Sequence, residues 1–300
     1  MSNEPLVSII INCFNGEKYL RKCVESIISQ TYKNWEIIFW DNKSSDRSAQ
    51  IFKSYKDIRL KYYLADNHSS ILYQARNYAL DKASGEFIAF LDTDDWWLPT
   101  KLNKQIILFN DPKVGLVYGN IWRYFEKNNK KIILKKNNLP QGLILGNLLK
   151  NYLIRLSSMV IRKSYLNKLD YKFNNNFHII GDFDLNVRIA AIYKVACVQQ
   201  PVAFLRYHDK NESLINKEKE IQELKIWRDE MTKNEIISSN SQFRQISIKI
   251  SYLEAIKAIL ERQFKKSLII VIQHPFSFSK IKLIFALILP NYFLKKMVNY

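Results

Sequence analysis

An α/β fold with a doubly wound, mostly parallel central sheet is predicted by two features of this 300-residue chain. Short apolar, β-branched runs alternate with stretches of helical spacing, the order expected of a parallel sheet with helices on both faces. Three of those runs stop at polar residues, Asn12, Asp41 and Asp92, and in such sheets ligands bind beyond the carboxyl ends of the strands.

The elements follow in order. Residues 6–11 (LVSIII) read as a fully buried strand. Asn15-Gly16 makes a turn, and residues 17–29 place Leu20, Val24, Ile27 and Ile28 at helical spacing. Residues 35–40 (WEIIFW) are a second buried strand ending at Asp41, and a polar loop over 42–46 leads into a helix. A third strand is expected over 58–63, a helix carrying Arg76 over 70–83, and a fourth strand over 86–91 (EFIAFL) that ends at Asp92. Pro99 suits the first turn of the next helix. Residues 115–121 read as a fifth strand, and the Lys/Asn-rich stretch 126–141 as a surface loop or hairpin. Strands are expected over 156–162 and 195–205, and between them a helix over 181–193 with Leu185, Ile189 and Ile192 inward. From about residue 215 the pattern turns to charged helices and then to a basic, apolar tail.

The apolar share of 47% and aromatic share of 13% fit a globular core. Lys and Arg number 46 against 28 Asp and Glu, a net charge of +18. Nucleic acid, an anionic membrane surface and anionic small substrates all suit that charge, and composition does not choose among them. Cys13, Cys23 and Cys197 show neither metal spacing nor a disulfide framework, so a reducing cytosol is the simplest expectation. The N-terminal residues show no basic region followed by a long apolar run, so no secretory signal is expected. Apolar runs such as Leu283 to Leu289 are too short to span a bilayer, which takes about 20 residues.

The chemistry concentrates in Asp92-Thr93-Asp94-Asp95. Three carboxylates within four residues repel one another unless a cation or solvent relieves them. Their hard oxygens suit Mg²⁺ or Mn²⁺, ions that keep waters and accept phosphate oxygens as further ligands. A helix N-terminus also favours Asp, and Asp95 fits that role as well.

Four blocks of the sequence resemble the family 2 glycosyltransferases, inverting enzymes with the GT-A fold. They are VSIIINCFNGEKYL (7–20), EIIFWDNKSSD (36–46), ARNYAL…ASGEFIAFLDTDDWWLPTKL (75–102), and GDFDLNVRIA (181–190) with LRYH (205–208). The resemblance implies a nucleotide-sugar donor bound by Cys13, Phe14, Asn15, Asp41, Arg76, Asp92 and Thr93. Asp41 would accept a hydrogen bond from the base N–H, Phe14 would pack on the base face, and Arg76 would lie near the diphosphate or its metal-binding carboxylates. Asp94 would contact the metal directly, with Asp92 assisting and His208 reaching the metal or diphosphate. Asp182 would be the general base on the acceptor hydroxyl, with Asp184 its rival. The family usually has Glu-Asp where this chain has Gly181-Asp182, so any contact by that Glu is lost. Cys13 stands where Thr is common, and Asn12 where Pro is frequent.

Residues 264–300 interleave apolar clusters with Lys pairs, Phe and Tyr, and Pro275 and Pro290 break them into short helices. This suits an interfacial segment on anionic lipid and equally a helical cap on the catalytic domain. No nucleic-acid-binding motif is recognised. The expected organisation is a GT-A catalytic domain over 1–210 and a helical C-terminal region over 211–300. The expected activity is transfer from a nucleotide-sugar, a UDP-sugar first, to a glycan or lipid-linked acceptor at the cytoplasmic membrane face. A sugar-1-phosphate nucleotidyltransferase and a non-catalytic membrane-associated scaffold are the alternatives. No Gly-rich phosphate loop follows the first strand, which disfavours the first.

Overall fold

The computed structural model describes residues 4–136 and 138–289. These divide into two compact units, one running to Leu148 and resuming over Tyr152–Asp209, the other made of Leu149–Asn151 and the chain from Lys210 onward.

In the first unit the strands are β1 (Val7–Cys13), β2 (Trp35–Asp41), β3 (Leu60–Leu64), β4 (Phe87–Phe90), β5 (Trp96–Trp97), β6 (Val114–Phe125), β7 (Lys130–Ile133), β8 (Val160–Arg162) and β9 (Lys194–Tyr207). The helices are α1 (Glu17–Ile28), α2 (Ser48–Lys53), α3 (Leu72–Leu80), α4 (Lys101–Ile106), α5 (Leu145–Lys150), α6 (Lys163–Leu166) and α7 (Gly181–Ile192), the last two residues of α5 counting with the second unit. The strands form one sheet in the order β3-β2-β1-β4-β8-β6-β9-β5, with β7 paired to β6.

The expected parallel arrangement holds across β3, β2, β1 and β4. Beyond β4 the sheet is mixed. β8 runs antiparallel to both β4 and β6, β6 and β9 are parallel, and β7 and β5 add antiparallel edges. The cause is connection length. Only four residues, 126–129, link β6 to β7, too short for a parallel crossover, so those two strands pair as a hairpin.

Alternation along β1 builds the core. Val7, Ile9, Ile11 and Cys13 face α1, whose Leu20, Val24 and Ile27 are fully buried in the same cluster. Each buried aliphatic side chain of this kind stabilises by about 1.5–3 kcal/mol relative to exposure. α3 covers the opposite face with Ala75 and Ala79, both buried. The first turn of α1 receives no cap from its own flank. Asp46 reaches across, accepting from Glu17 N at 2.9 Å and from Ser48 N at 2.9 Å.

Several boundaries differ from expectation for local reasons. The fifth strand extends to Phe125 because β9 pairs with it from Val114 to Phe125, with register shifts between Val114 and Leu116 and between Gly119 and Ile121. Residues 156–158 form a 3-10 turn rather than strand, since Ser158 Oγ donates to Arg155 O at 2.7 Å. Pro99 precedes α4, which opens at Lys101 after Thr100. Ile192, expected inward, is 55% exposed at the last residue of α7.

The second unit holds α8 (Glu212–Ile215), α9 (Lys217–Met231), α10 (Glu235–Ser238), α11 (Arg244–Leu260), α12 (Phe264–Gln273) and α13 (Phe278–Ile288). Its core joins Ala255, Ile256 and Ile259 of α11 to Val271, Leu283 and Ala286. Among the described residues no helix is long and apolar enough to cross a membrane. Pro290 lies outside the described residues.

Candidate active site

Polar residues gather at the carboxyl edge of the parallel half of the sheet. Asp41, the last residue of β2, is buried. Its Oδ1 accepts from Ser44 N at 2.7 Å and its Oδ2 from the Tyr62 hydroxyl at 2.7 Å. Burial, then the hydrogen bond to Asp41 and its charge, push the Tyr62 phenol up, so it stays a donor. Asn42 grips the next loop, accepting from Ser69 N at 2.9 Å and donating to Ser69 O at 2.8 Å. This holds His68 with its ring 4.4 Å from Phe14, and Phe14 is 53% exposed.

The β1–α1 turn supports this edge. Cys13, expected to touch the nucleotide, is buried, and its thiol receives a contact from Ser44 Oγ at 3.9 Å. The thiol is therefore a support for the turn and is not presented at the surface. Asn15 adopts a left-handed φ of 52° and accepts from Ser45 N at 2.8 Å, clipping the turn to the loop after β2. A Cβ on Gly16 would lie 2.9 Å from Cys13 Sγ and 3.2 Å from Thr93 Oγ1. Glycine here lets the turn close on the acidic loop.

In that loop the three carboxylates have separate partners. Asp92 Oδ1 accepts from Arg76 Nη2 at 2.5 Å. Arg76 is buried, and its Nη1 has no hydrogen-bond partner among the described residues. Asp94 Oδ2 lies 3.0 Å from His208 Nε2. The His208 ring stacks on Tyr19 with centroids 5.2 Å apart. Asp95 is buried and accepts from Ser157 Oγ at 2.6 Å and from Arg206 N at 2.9 Å. Burial, then the charges of Asp94 and Asp92, push its carboxyl well up. Asp95 is thus no helix cap; α4 begins six residues later, and Asp95 ties the acidic loop to β9.

Asp182 lies in the first turn of α7, behind the N-cap Ile180, so it does not cap that helix. Its Oδ1 accepts from the Tyr73 hydroxyl at 3.0 Å and from Phe183 N at 2.9 Å, and its Oδ2 from the Tyr152 hydroxyl at 2.9 Å. Burial and then the Asp182 charge push both phenols well up, which keeps them protonated. Asp184, the rival, is fully buried and paired with Arg188 at 2.8 Å. The Arg76 guanidinium lies 4.6 Å from the Tyr73 ring centroid. A chain of contacts therefore runs from the acidic loop through Arg76 and Tyr73 to Asp182.

Tyr19, Tyr62, His68, Tyr73, Tyr152 and Arg206 were not expected at the site. One signal was available: Tyr73 and Arg76 are three apart on a helix and share a face. The others come from distant elements.

Among the described residues no three His, Cys, Asp or Glu side chains form a ready metal cage. Asp94 and His208 supply a carboxylate and an imidazole brought together from the acidic loop and the chain just past β9. Mg²⁺ and Mn²⁺ need no more than one or two protein ligands when phosphate and water complete the shell. The orphaned Arg76 N–H beside Asp92 suits an anion at the same place, so the residues present fit a metal–diphosphate pair.

The profile of Glycosyl transferase family 2 matches residues 8–170, more than half of the chain. The chain is 36% identical over 171 residues to UDP-Glc:alpha-D-GlcNAc-diphosphoundecaprenol beta-1,3-glucosyltransferase WfgD of Escherichia coli. The match covers 57% of this chain and 66% of that protein. It is 37% identical over 174 residues to the glucosyltransferase WfaP of the same name and organism, covering 55% of this chain and 67% of the relative. The chain thus spans about two thirds of the length of these relatives. The mannosyltransferase PcManGT from Pyrobaculum calidifontis, solved in complex with GDP-Man and Mn2+, superposes with a TM-score of 0.65 at 14% identity, over 99% of this chain and 85% of that one. That likeness shows a shared GT-A architecture, and with the profile match across β2, β4 and the acidic loop, the chain belongs to Glycosyl transferase family 2.

Proposed function

We propose that the chain is a metal-dependent, inverting glycosyltransferase that moves a sugar from a UDP-sugar to a lipid-linked glycan acceptor in surface polysaccharide synthesis. The observation that carries this reading is the contact chain from Asp92 through Arg76 and Tyr73 to Asp182, with Asp94, two residues on in the acidic loop, paired with His208. It supports a metal–diphosphate site beside a carboxylate base. The two Escherichia coli relatives support the choice of UDP-sugar donor and diphospholipid acceptor by their names.

In this reading Phe14 and His68 present ring faces to the base, and Asp41, aimed by Ser44 and Tyr62, accepts the base N–H. Asp94 and His208 would hold Mn²⁺ or Mg²⁺, and Arg76 stands by the diphosphate. When bound, such a metal neutralises charge on the departing diphosphate. Asp182 takes the proton of the acceptor hydroxyl as its oxygen attacks the anomeric carbon from the face opposite the leaving group. One displacement of this kind inverts the anomeric configuration.

The test is a panel of nucleotide-sugars scored by thermal shift with and without Mn²⁺. Stabilisation by a UDP-sugar only in the presence of metal is expected. Stabilisation by no nucleotide-sugar, or equal stabilisation without metal, defeats the proposal.

The same reading places the chain on the inner face of the membrane. In α12 and α13, Phe264, Ile272, Phe278, Phe285 and Ile288 are all more than 60% exposed, and Phe276 between them is 91% exposed. Lys265, Lys266 and Lys282 are exposed on the same helices. Apolar side chains flanked by Lys suit the headgroup boundary of an anionic bilayer, each Lys contributing about 1 kcal/mol. Changing these three Lys to Glu should abolish sedimentation with phosphatidylglycerol vesicles; undiminished sedimentation rejects this placement.

A further inference from the structure

Gly181 stands where the resemblance to the family 2 glycosyltransferases implies Glu, and the structure supplies a reason. A Cβ at position 181 would lie 2.4 Å from Cδ2 and Cγ of the Tyr73 ring. No side chain fits there while that ring stays in place. The space that the family's Glu would occupy is filled from α3 by an aromatic residue whose hydroxyl bonds the neighbouring Asp182.

The hydrogen bonds at Asp182 are unequal. Each carboxylate oxygen has two lone-pair positions. Oδ1 accepts twice, from the Tyr73 hydroxyl and from Phe183 N. Oδ2 accepts once, from the Tyr152 hydroxyl. The Tyr152 oxygen itself accepts from Asn186 Nδ2 at 2.8 Å, which leaves its own hydrogen to point at Asp182. Tyr73 comes from α3, Tyr152 from the segment before the 3-10 turn at Leu156, and Asn186 from the next turn of α7. Three separate segments thus hold one carboxylate.

We propose that Tyr73 and Tyr152 are positioning residues that lock the Asp182 carboxylate with Oδ2 as the proton-accepting oxygen, and that Gly181 is glycine to admit the Tyr73 ring. This rests on Asp182 being the base. In the step, the acceptor O–H proton passes to the remaining lone pair of Oδ2. The acceptor oxygen then bonds the anomeric carbon, and the bond to the diphosphate breaks with its electron pair leaving on the diphosphate. Oδ1, with both positions filled, takes no proton.

The experiment measures UDP release with UDP-glucose and a synthetic GlcNAc-diphospholipid for the native chain, Tyr73→Phe, Tyr152→Phe, the double variant and Asp182→Asn. Each single change should lower kcat about tenfold and the pair about a hundredfold, with the UDP-glucose KM within about twofold. A native kcat in the double variant, beside an inactive Asp182→Asn, removes the positioning role and leaves the base assignment standing. Native turnover in Asp182→Asn removes the base assignment and this proposal with it. A crystal structure of the double variant reads the same lock without substrate. A rotated Asp182 side chain is expected, and an unmoved carboxylate overturns the proposal. Gly181→Ala tests the packing half: it should displace the Tyr73 ring and lower kcat, and unchanged kcat excludes that part.

Discussion

Strand β2 carries a carboxylate near each end, and the two are held in opposite ways. Glu36, at the amino end, is 3% exposed and saturated. Its Oε1 accepts from Ser8 Oγ at 2.5 Å, from Ser84 Oγ at 2.7 Å and from Ser84 N at 2.9 Å, and its Oε2 from Lys61 Nζ at 2.5 Å. Those donors join β1, β3 and the approach to β4. Asp41, five residues on, accepts from Ser44 N and Tyr62 only. The lesson is that a saturated carboxylate is an internal rivet, whereas one with positions to spare is available to a ligand. At the carboxyl edge Asp41 and Asp182 follow the second pattern; Glu36, at the amino end, follows the first.

Breaking the open end should cost activity before stability. Asp182→Asn should reduce transfer by about a thousandfold while leaving Mn²⁺-dependent UDP binding intact, as measured by turnover beside calorimetry. Retained turnover would remove Asp182 from the catalytic group. Breaking the closed end should do the reverse. Burial works to raise the Glu36 carboxyl, but Lys61, Ser8 and Ser84 overcome it and the pKa falls to about 2. A depressed acid stabilises the fold above its unfolded value, near 4.5, and that stabilisation is lost as pH falls toward 2. Glu36→Gln should therefore cost about 3 kcal/mol at neutral pH and flatten the loss of stability between about pH 5 and pH 2. A denaturation series across that range checks it, and an unchanged acid limb would show that Glu36 is not the rivet.

Smaller effects sharpen the contrast. Asp94→Ala should erase the Mn²⁺-dependent part of UDP stabilisation, about 2.7 kcal/mol at a hundredfold excess over Kd, with metal-free stability nearly unchanged. Persistence of the metal effect would transfer the role elsewhere. Tyr62→Phe is the mildest change. It should lower stability by about 1 kcal/mol and weaken UDP binding several-fold, because Asp41 loses one of the two donors that aim it. An unchanged UDP affinity separates Tyr62 from the base pocket.

Much of this architecture was legible in the residues. VSIII, WEIIFW and EFIAFL are apolar enough to declare buried strands, and polar residues mark their carboxyl ends. What stayed hidden depends on distant pairing. β5 has two residues and exists because β9 pairs with it. The outer half of β6 mixes Trp122, Arg123 and Tyr124, which gives no clear period. At the site, the aspartates were visible but their partners were not. Tyr62, Tyr152 and Arg206 arrive from segments 21, 30 and 111 residues away from the acids they bond. Asp95 was open to reading as a cap because its burial by Ser157 and Arg206 has no local signature.

The crowding of Gly181 by Tyr73 also constrains how this chain can change. A glutamate at 181, the residue the Glu-Asp resemblance implies, should inactivate the protein when introduced alone and be tolerated once residue 73 is made small. With each replacement expected to cost activity by itself, the two positions would form a reciprocal pair. A lineage crossing between the Glu-Asp and Gly-Asp forms would have to pass through a weakened intermediate or change both at once.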